Sequence, residues 1–335
     1  MKRIHVFFIF LSSVLSCLSQ DNQYAFLNIN YSPRIAALGG RNVSLSSENI
    51  NNISDNPALL NYDQHHQLAI SYMNYASDIN AGSSIYGQSI GLRGMWAIGI
   101  TYVNYGTFTE TTPDNSILGT FSANDIALTY SYSYELTDRL RAGASGKIIY
   151  SGYEKYSSWG IAVDLGLIYI NPDHNLSTGI SIRNIGGQIA SFNEEHIKMP
   201  WDVSFGITHK LMYAPLHFSL TAQNLNRWNS KSFYENNTNN GDLIAKKDNF
   251  LVNLAKHFVI GCEFIPNANF YLAAGYNIKA QSDFHTIGKK GIYGFSFGGG
   301  FKIKYFQFDA SFSQRNYKGG TLLVGLTTNL DKFRF

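Results

Sequence analysis

What most restricts this chain is a two-residue alternation that returns again and again along it. Near the end, Leu322, Val324, Leu326, Thr328 and Leu330 make one row, and Thr321, Leu323, Gly325, Thr327 and Asn329 make the other. Side chains of a strand point alternately to its two sides, so this stretch reads as a β-strand with one apolar face and one small or polar face. From Trp159 to Tyr169 every odd position is large and apolar, and Gly160, Ala162, Asp164, Gly166 and Ile168 lie between. Residues 201–208, 216–223 and 306–313 repeat the pattern. A soluble sandwich also alternates, but it turns a charged face to water. Here the second face is Gly, Ser, Thr and Asn with scattered charge, which suits the inside of a barrel.

Fourteen such strands are expected, at 66–73, 83–91, 95–104, 123–136, 139–151, 158–170, 176–186, 200–209, 214–226, 249–264, 268–279, 290–302, 304–313 and 319–331. Most reach the roughly 9–11 residues that a tilted strand needs to cross a bilayer. The connections alternate between short and mostly longer. The short ones are 92–94, 136–139, 171–175, 210–214, 265–268 and 302–304, and the longest of the others runs from Asn229 to Asp248. Transmembrane barrels have short periplasmic turns and longer outer loops. The expectation is therefore an all-β, fourteen-stranded antiparallel transmembrane barrel in a bacterial outer membrane, with both termini periplasmic.

Composition agrees. Charged residues are 15%, against about 25% in soluble proteins, and aromatic residues reach 15%. After the amino-terminus no run of about 18 apolar residues occurs, which excludes helical spans. Alternation hides strand hydrophobicity from averaging, so a mean hydropathy of -0.13 is no objection. A formal charge of +3 gives no basic excess for nucleic acid. Tyr102, Tyr105, Tyr130, Tyr132, Tyr134, Tyr150, Tyr153, Tyr156, Trp159 and Trp201 gather near strand ends, as interface girdles do.

Residues 1–19 read as a signal peptide: Lys2 and Arg3, an apolar stretch from Val6 to Leu15, then Cys17-Leu-Ser19, with Gln20 as the mature start. A rival is a lipoprotein box, Val14-Leu-Ser-Cys17, in which Cys17 is lipidated, although Leu15 is bulky for it. At the other end Phe335 resembles the aromatic terminus that bacterial barrel-assembly machinery reads. Residues 66–335 are expected to form the barrel. Residues 20–65 form a segment that hangs in the periplasm or plugs the lumen, with a short helix over 32–40 stopping at Gly39-Gly40 and a turn opened by Pro57.

Ala36-Ala-Leu-Gly39-Gly40, Val43-Ser-Leu45 and Asn56-Pro57-Ala58-Leu-Leu60 resemble the amino-terminal signature of FadL-like fourteen-stranded outer-membrane proteins. Residues 72–80, Tyr102-Val-Asn-Tyr-Gly106, Ile182-Arg-Asn-Ile-Gly186, residues 214–220 and Gly275-Tyr-Asn277 are similar to the PorV/PorQ branch, which serves type IX secretion in Bacteroidetes. The resemblance runs from about residue 27 to the end. It implies a non-catalytic component that works beside a PorZ-like surface protein and a PorU-like transpeptidase, embedded among outer-membrane lipids. The outer loops 105–122, 187–199 and 229–248 are then candidate docking segments. Phe233, Tyr234, Lys246 and Lys247 are the candidate contacts. The alternative is a FadL-like transporter of hydrophobic molecules.

Active-site signatures are lacking. The nine His, His65-His66 among them, show no metalloprotease spacing, and no nucleophile elbow or phosphate loop occurs. No catalytic residue, cofactor or metal site is expected. Asp164, Arg183, Asp202, His217 and Lys256 are placed on luminal faces, where charges usually pair across the barrel. Cys262 falls on an apolar strand face and has no internal disulfide partner once Cys17 is removed.

Overall fold

Alternating side chains close the sheet on itself. The computed structural model describes residues 24–75, 79–112, 114, 116–191, 199–228, 231–235, 243–247, 249–284, 292–314 and 320–333. The barrel strands are β1 (Gln67–Asn74), β2 (Asn80–Ile90), β3 (Gly94–Thr111), β4 (Ile117–Glu135), β5 (Leu140–Tyr153), β6 (Tyr156–Asn171), β7 (Leu176–Ala190), β8 (Asp202–Lys210) and β9 (Leu216–Ala222). They continue with β12 (Phe258–Asn267), β13 (Phe270–Asn277), β14 (Phe295–Ile303), β15 (Phe306–Gln314) and β16 (Gly320–Asn329). Neighbours pair antiparallel in chain order, and β1 pairs β16 from Gln67↔Asn329 to Asn74↔Leu322, so the sheet is a closed barrel. Between β9 and β12 a separate hairpin pairs β10 (Lys231–Glu235) with β11 (Leu243–Lys247).

The two faces are those of the alternation. Ile161, Val163, Leu165 and Leu167 of β6 are exposed on the outside, while Ser158, Ala162, Asp164 and Ile168 are buried inside. Asp164, Arg183 and Asp202 thus face inward, as expected. Cys262 shares the outer face of β12 with the exposed Ile260 and Phe264.

Several expectations need correction. The segment 105–122, expected as an outer loop, is mostly strand: β3 and β4, 18 and 19 residues long, continue as one hairpin past the length a membrane requires. β7 likewise runs on to Ala190 through the start of the 187–199 segment, and residues 192–198 lie outside the described residues. Residues 249–257 are not strand. Asn249 caps the helix Phe250–Ala255, and Lys256 ends that helix rather than lining a strand. Tyr105 and Tyr153 are not girdle residues, because both hydroxyls donate to the inward Asp125 carboxylate, at 2.6 and 3.0 Å. Tyr102, Tyr130, Tyr132, Tyr134 and Trp159 do stand exposed on the outer face.

The segment before β1 lies inside the barrel. Ile35, Ala37, Leu38, Val43, Leu45, Ile50, Leu59 and Leu60 are all buried, and with the inward side chains of the strands they form the core. An apolar segment and a small-residue wall thus bury each other, which is the dominant favourable term available to either.

Candidate functional site

The contact between plug and wall is where the inward residues converge. Pro33 opens the helix Pro33–Ala37, and the Ser32 hydroxyl accepts the Ile35 N–H at 3.3 Å. Gly39 and Gly40 end it with φ of 97° and 85°, a left-handed conformation that glycine adopts without a Cβ penalty. The wall completes this cap. Gly39 N–H donates to Ser296 Oγ at 2.9 Å, Ser296 Oγ donates to Ala37 O at 2.8 Å, and Asn277 Nδ2 donates to Gly39 O at 3.0 Å.

The second motif works the same way. Asn56 Oδ1 accepts the Ala58 N–H at 2.9 Å, starting the turn Pro57–Leu59, while Asn56 Nδ2 donates to Val43 O at 2.8 Å and to Leu167 O of β6 at 3.2 Å. Ser133 Oγ of β4 donates to Leu60 O at 2.7 Å. Close approach here requires glycine in the wall, since a Cβ on Gly143 of β5 would stand 2.5 Å from the backbone of Pro57 and Ala58. Gly39, Gly40, Asn56, Pro57 and Ala58 are thus seat residues of the plug.

Buried ion pairs lock the seat. Asp55 Oδ1 lies 2.9 Å from Arg41 Nη1 and 3.0 Å from Arg183 Nη1 of β7, and Asp55 Oδ2 accepts the Asn42 N–H at 3.0 Å. Burial pushes the Asp55 carboxyl up, while Arg41 and the Asn42 N–H draw it back toward the ionised form. Three strands along the ring from β7, Arg34 holds Glu263 of β12 through two bonds, 2.6 and 3.1 Å, and its guanidinium lies 4.8 Å from the Tyr271 ring centroid. His217 Nδ1 is 3.7 Å from the same carboxylate. Lys147 Nζ reaches Asp164 at 2.6 Å within the wall. Such pairs cost desolvation on forming, but removing one partner strands a buried charge at about 3–5 kcal/mol.

Of the inward charges read from sequence, Arg183 meets the plug, Asp202 lies 3.9 Å from Arg183, His217 lies beside Glu263, and Asp164 pairs with Lys147 within the wall. Arg34, Arg41, Asp55 and Glu263 were missed. In sequence they are ordinary polar residues of loop or strand, and nothing in their spacing links positions more than 100 residues apart. Phe233, Tyr234, Lys246 and Lys247 fall on the β10–β11 hairpin, away from the plug in sequence, in the register Phe233↔Ala245, Tyr234↔Ile244, Ser232↔Lys246 and Lys231↔Lys247. Phe335 and the signal peptide with Cys17 lie outside the described residues.

Spaces remain beside the plug, and two of them border its apolar and charged residues. One, about 90 Å³, lies between Phe26, Leu27, Ile29 and Ile53 and the small wall residues Ser83, Gly99, Thr101 and Ala127, with Lys147 and Asp164 at its edge. The other, about 360 Å³, is a polar vestibule on the side of the short turns, lined by Arg34, Asn49, His217, Asn267 and Lys302 among others.

No protein-family model matches this chain, and no curated protein matches it by sequence. Solved structures do. The toluene transporter TodX of Pseudomonas putida aligns over 89% of this chain and 96% of its own, with 14% identity and a TM-score of 0.53. A TodX mutant described as a monoaromatic hydrocarbon channel aligns over 90% and 99%, with 14% identity and a TM-score of 0.56. A FadL homologue of Pseudomonas aeruginosa aligns over 88% and 97%, with 12% identity and a TM-score of 0.49. At such identity the likeness is one of fold. This chain shares the fold of the TodX structures, a closed fourteen-stranded antiparallel barrel, here with its amino-terminal segment inside.

Proposed function

We propose that this barrel is a non-catalytic outer-membrane component of the type IX secretion system, one that anchors a surface subunit of the cargo-attachment complex. The observation that carries this reading is the locked plug. The lumen is occupied by a segment tied to β4, β6, β7, β12, β13 and β14, and its buried charges pair with wall residues on β7 and β12. A barrel sealed in this way has its outer rim to offer, and the rim bears the tall β3–β4 hairpin and the β10–β11 hairpin with Phe233, Tyr234, Lys246 and Lys247. The order and spacing of the PorV/PorQ-like motifs support the same reading. In it, a PorZ-like surface protein and a PorU-like transpeptidase are the partners, the short turns face the periplasm with both termini, and lipids of the outer membrane surround the wall.

A second reading, transport of hydrophobic molecules, is favoured by the apolar-lined cavity and by the fold shared with TodX. That cavity, about 90 Å³, is smaller than the roughly 150 Å³ void that holds a benzene. Deleting the gene separates the two. The anchoring reading expects surface-attached cargo to be released or retained inside, with toluene and fatty-acid uptake unchanged. Loss of uptake with cargo attachment intact would establish the transporter instead.

A further inference from the structure

The seam where the first strand meets the last carries a side-chain cluster separate from the ion pairs that hold the plug. His65 and His66 immediately precede β1, and Asp331 follows β16 in the turn Leu330–Phe333. His66 Nδ1 is 2.5 Å from Asp331 Oδ1, and His65 Nε2 is 3.9 Å from Asp331 Oδ2. One ligand atom from each of the three lies within 4.8 Å of the others. Tetrahedral zinc with bonds of about 2.0–2.1 Å needs its ligand atoms about 3.4 Å apart, so small rotations bring these three into range.

The backbone is shaped for this convergence. His66 has φ of 54°, a left-handed conformation that costs a side-chain-bearing residue energy and recurs at functional sites. It folds the His66 ring over that of His65, with centroids 3.7 Å apart, so that both imidazoles meet one carboxylate. Backbone bonds across the seam set the spacing: Leu330 N–H donates to His66 O and Asn329 Nδ2 to His65 O, each at 2.8 Å. The rings remain partly open to solvent, with side-chain exposures of 26% for His65 and 15% for His66.

We propose that His65, His66 and Asp331 bind one divalent transition-metal ion of the zinc class, which clips the first barrel strand to the last. Two imidazoles and a carboxylate are a borderline-soft set that suits zinc over magnesium or calcium. The fourth position is left to water. Binding displaces the proton of His66 Nδ1 to solvent and puts the His65 ring proton on Nδ1. There the Ser89 hydroxyl, 2.9 Å away, accepts it, while the Ser89 N–H gives up its own bond to that nitrogen. A clip joining positions 265 residues apart closes a long loop, the case in which a cross-link constrains the unfolded chain most. The proposal is independent of what the barrel binds at its outer rim.

The test uses the full chain without a polyhistidine tag, refolded in detergent, stripped with a chelator and titrated with zinc chloride by calorimetry. One ion per chain is expected, with affinity falling at least about ten-fold in His66→Gln and in Asp331→Asn, and unchanged in His174→Gln on a short turn. Zinc is also expected to raise the temperature at which the wild-type barrel loses its folded mobility in SDS gels, while magnesium leaves it in place. The gel readout stands if a variant fails to fold. Non-saturable binding, equal affinity in the seam variants, or a zinc effect no larger than that of magnesium would each overturn the site.

Discussion

Asp55 is the residue on which the plug turns. Its carboxylate meets two arginines, one from the plug and one from β7, and it is fully buried. Asp55→Ala leaves both guanidinium groups short of their counter-charge in a low-dielectric space, and the expected loss is about 3–5 kcal/mol. The loss should fall on the plug more than the wall, whose strands keep every ladder bond. In detergent the variant should keep its heat-modifiable mobility while a protease gains access to residues 24–66. A plug as resistant as the wild type would remove Asp55 from this role. Asn56 differs in kind. It is neutral and acts through geometry, capping its own turn while gripping β6.

At the scale of elements, short turns and tall hairpins divide the barrel into two ends. Leu92, in the turn after β2, and Ile117, at the start of β4, are both well exposed, at opposite ends of β3 and its partners. In a Cys262→Ser background, a cysteine at Ile117 should react with a membrane-impermeant maleimide on intact cells. A cysteine at Leu92 should react only after permeabilisation. The reverse pattern would invert the barrel. The strands and the order of their connections were legible in the sequence, because a period of two with an apolar outer row survives in any barrel of this kind. Strand ends were less so. Residues 105–122 look like loop by their Thr, Asn and Gly, yet they pair with each other beyond the membrane, where apolar alternation is no longer required. Residues 249–257 carry Leu and Val that fit either period, and the Asn249 cap decided for helix. The plug motifs were visible as a helix stop and a turn. Their seats on Ser296, Asn277 and Leu167 were not, because no local pattern encodes a contact across the lumen.

For the whole molecule, wall and plug form one closed body. The inner face is mostly small or polar where the plug's apolar side chains and paired charges sit against it, and the outer face is largely apolar, with the outward row of β2 (Asn80, Gly82, Ser84, Tyr86 and Gln88) the exception. Function on this account belongs to the outer rim and not to a pore. The measurement that bears on it most directly is affinity purification of the tagged barrel from its native outer membrane in mild detergent, with co-purifying proteins identified by mass spectrometry. The account predicts recovery of a large surface protein of the attachment complex, lost when residues 229–248 are removed while the barrel still folds. A barrel that purifies alone, carrying fatty acid or another hydrophobic molecule, would contradict it.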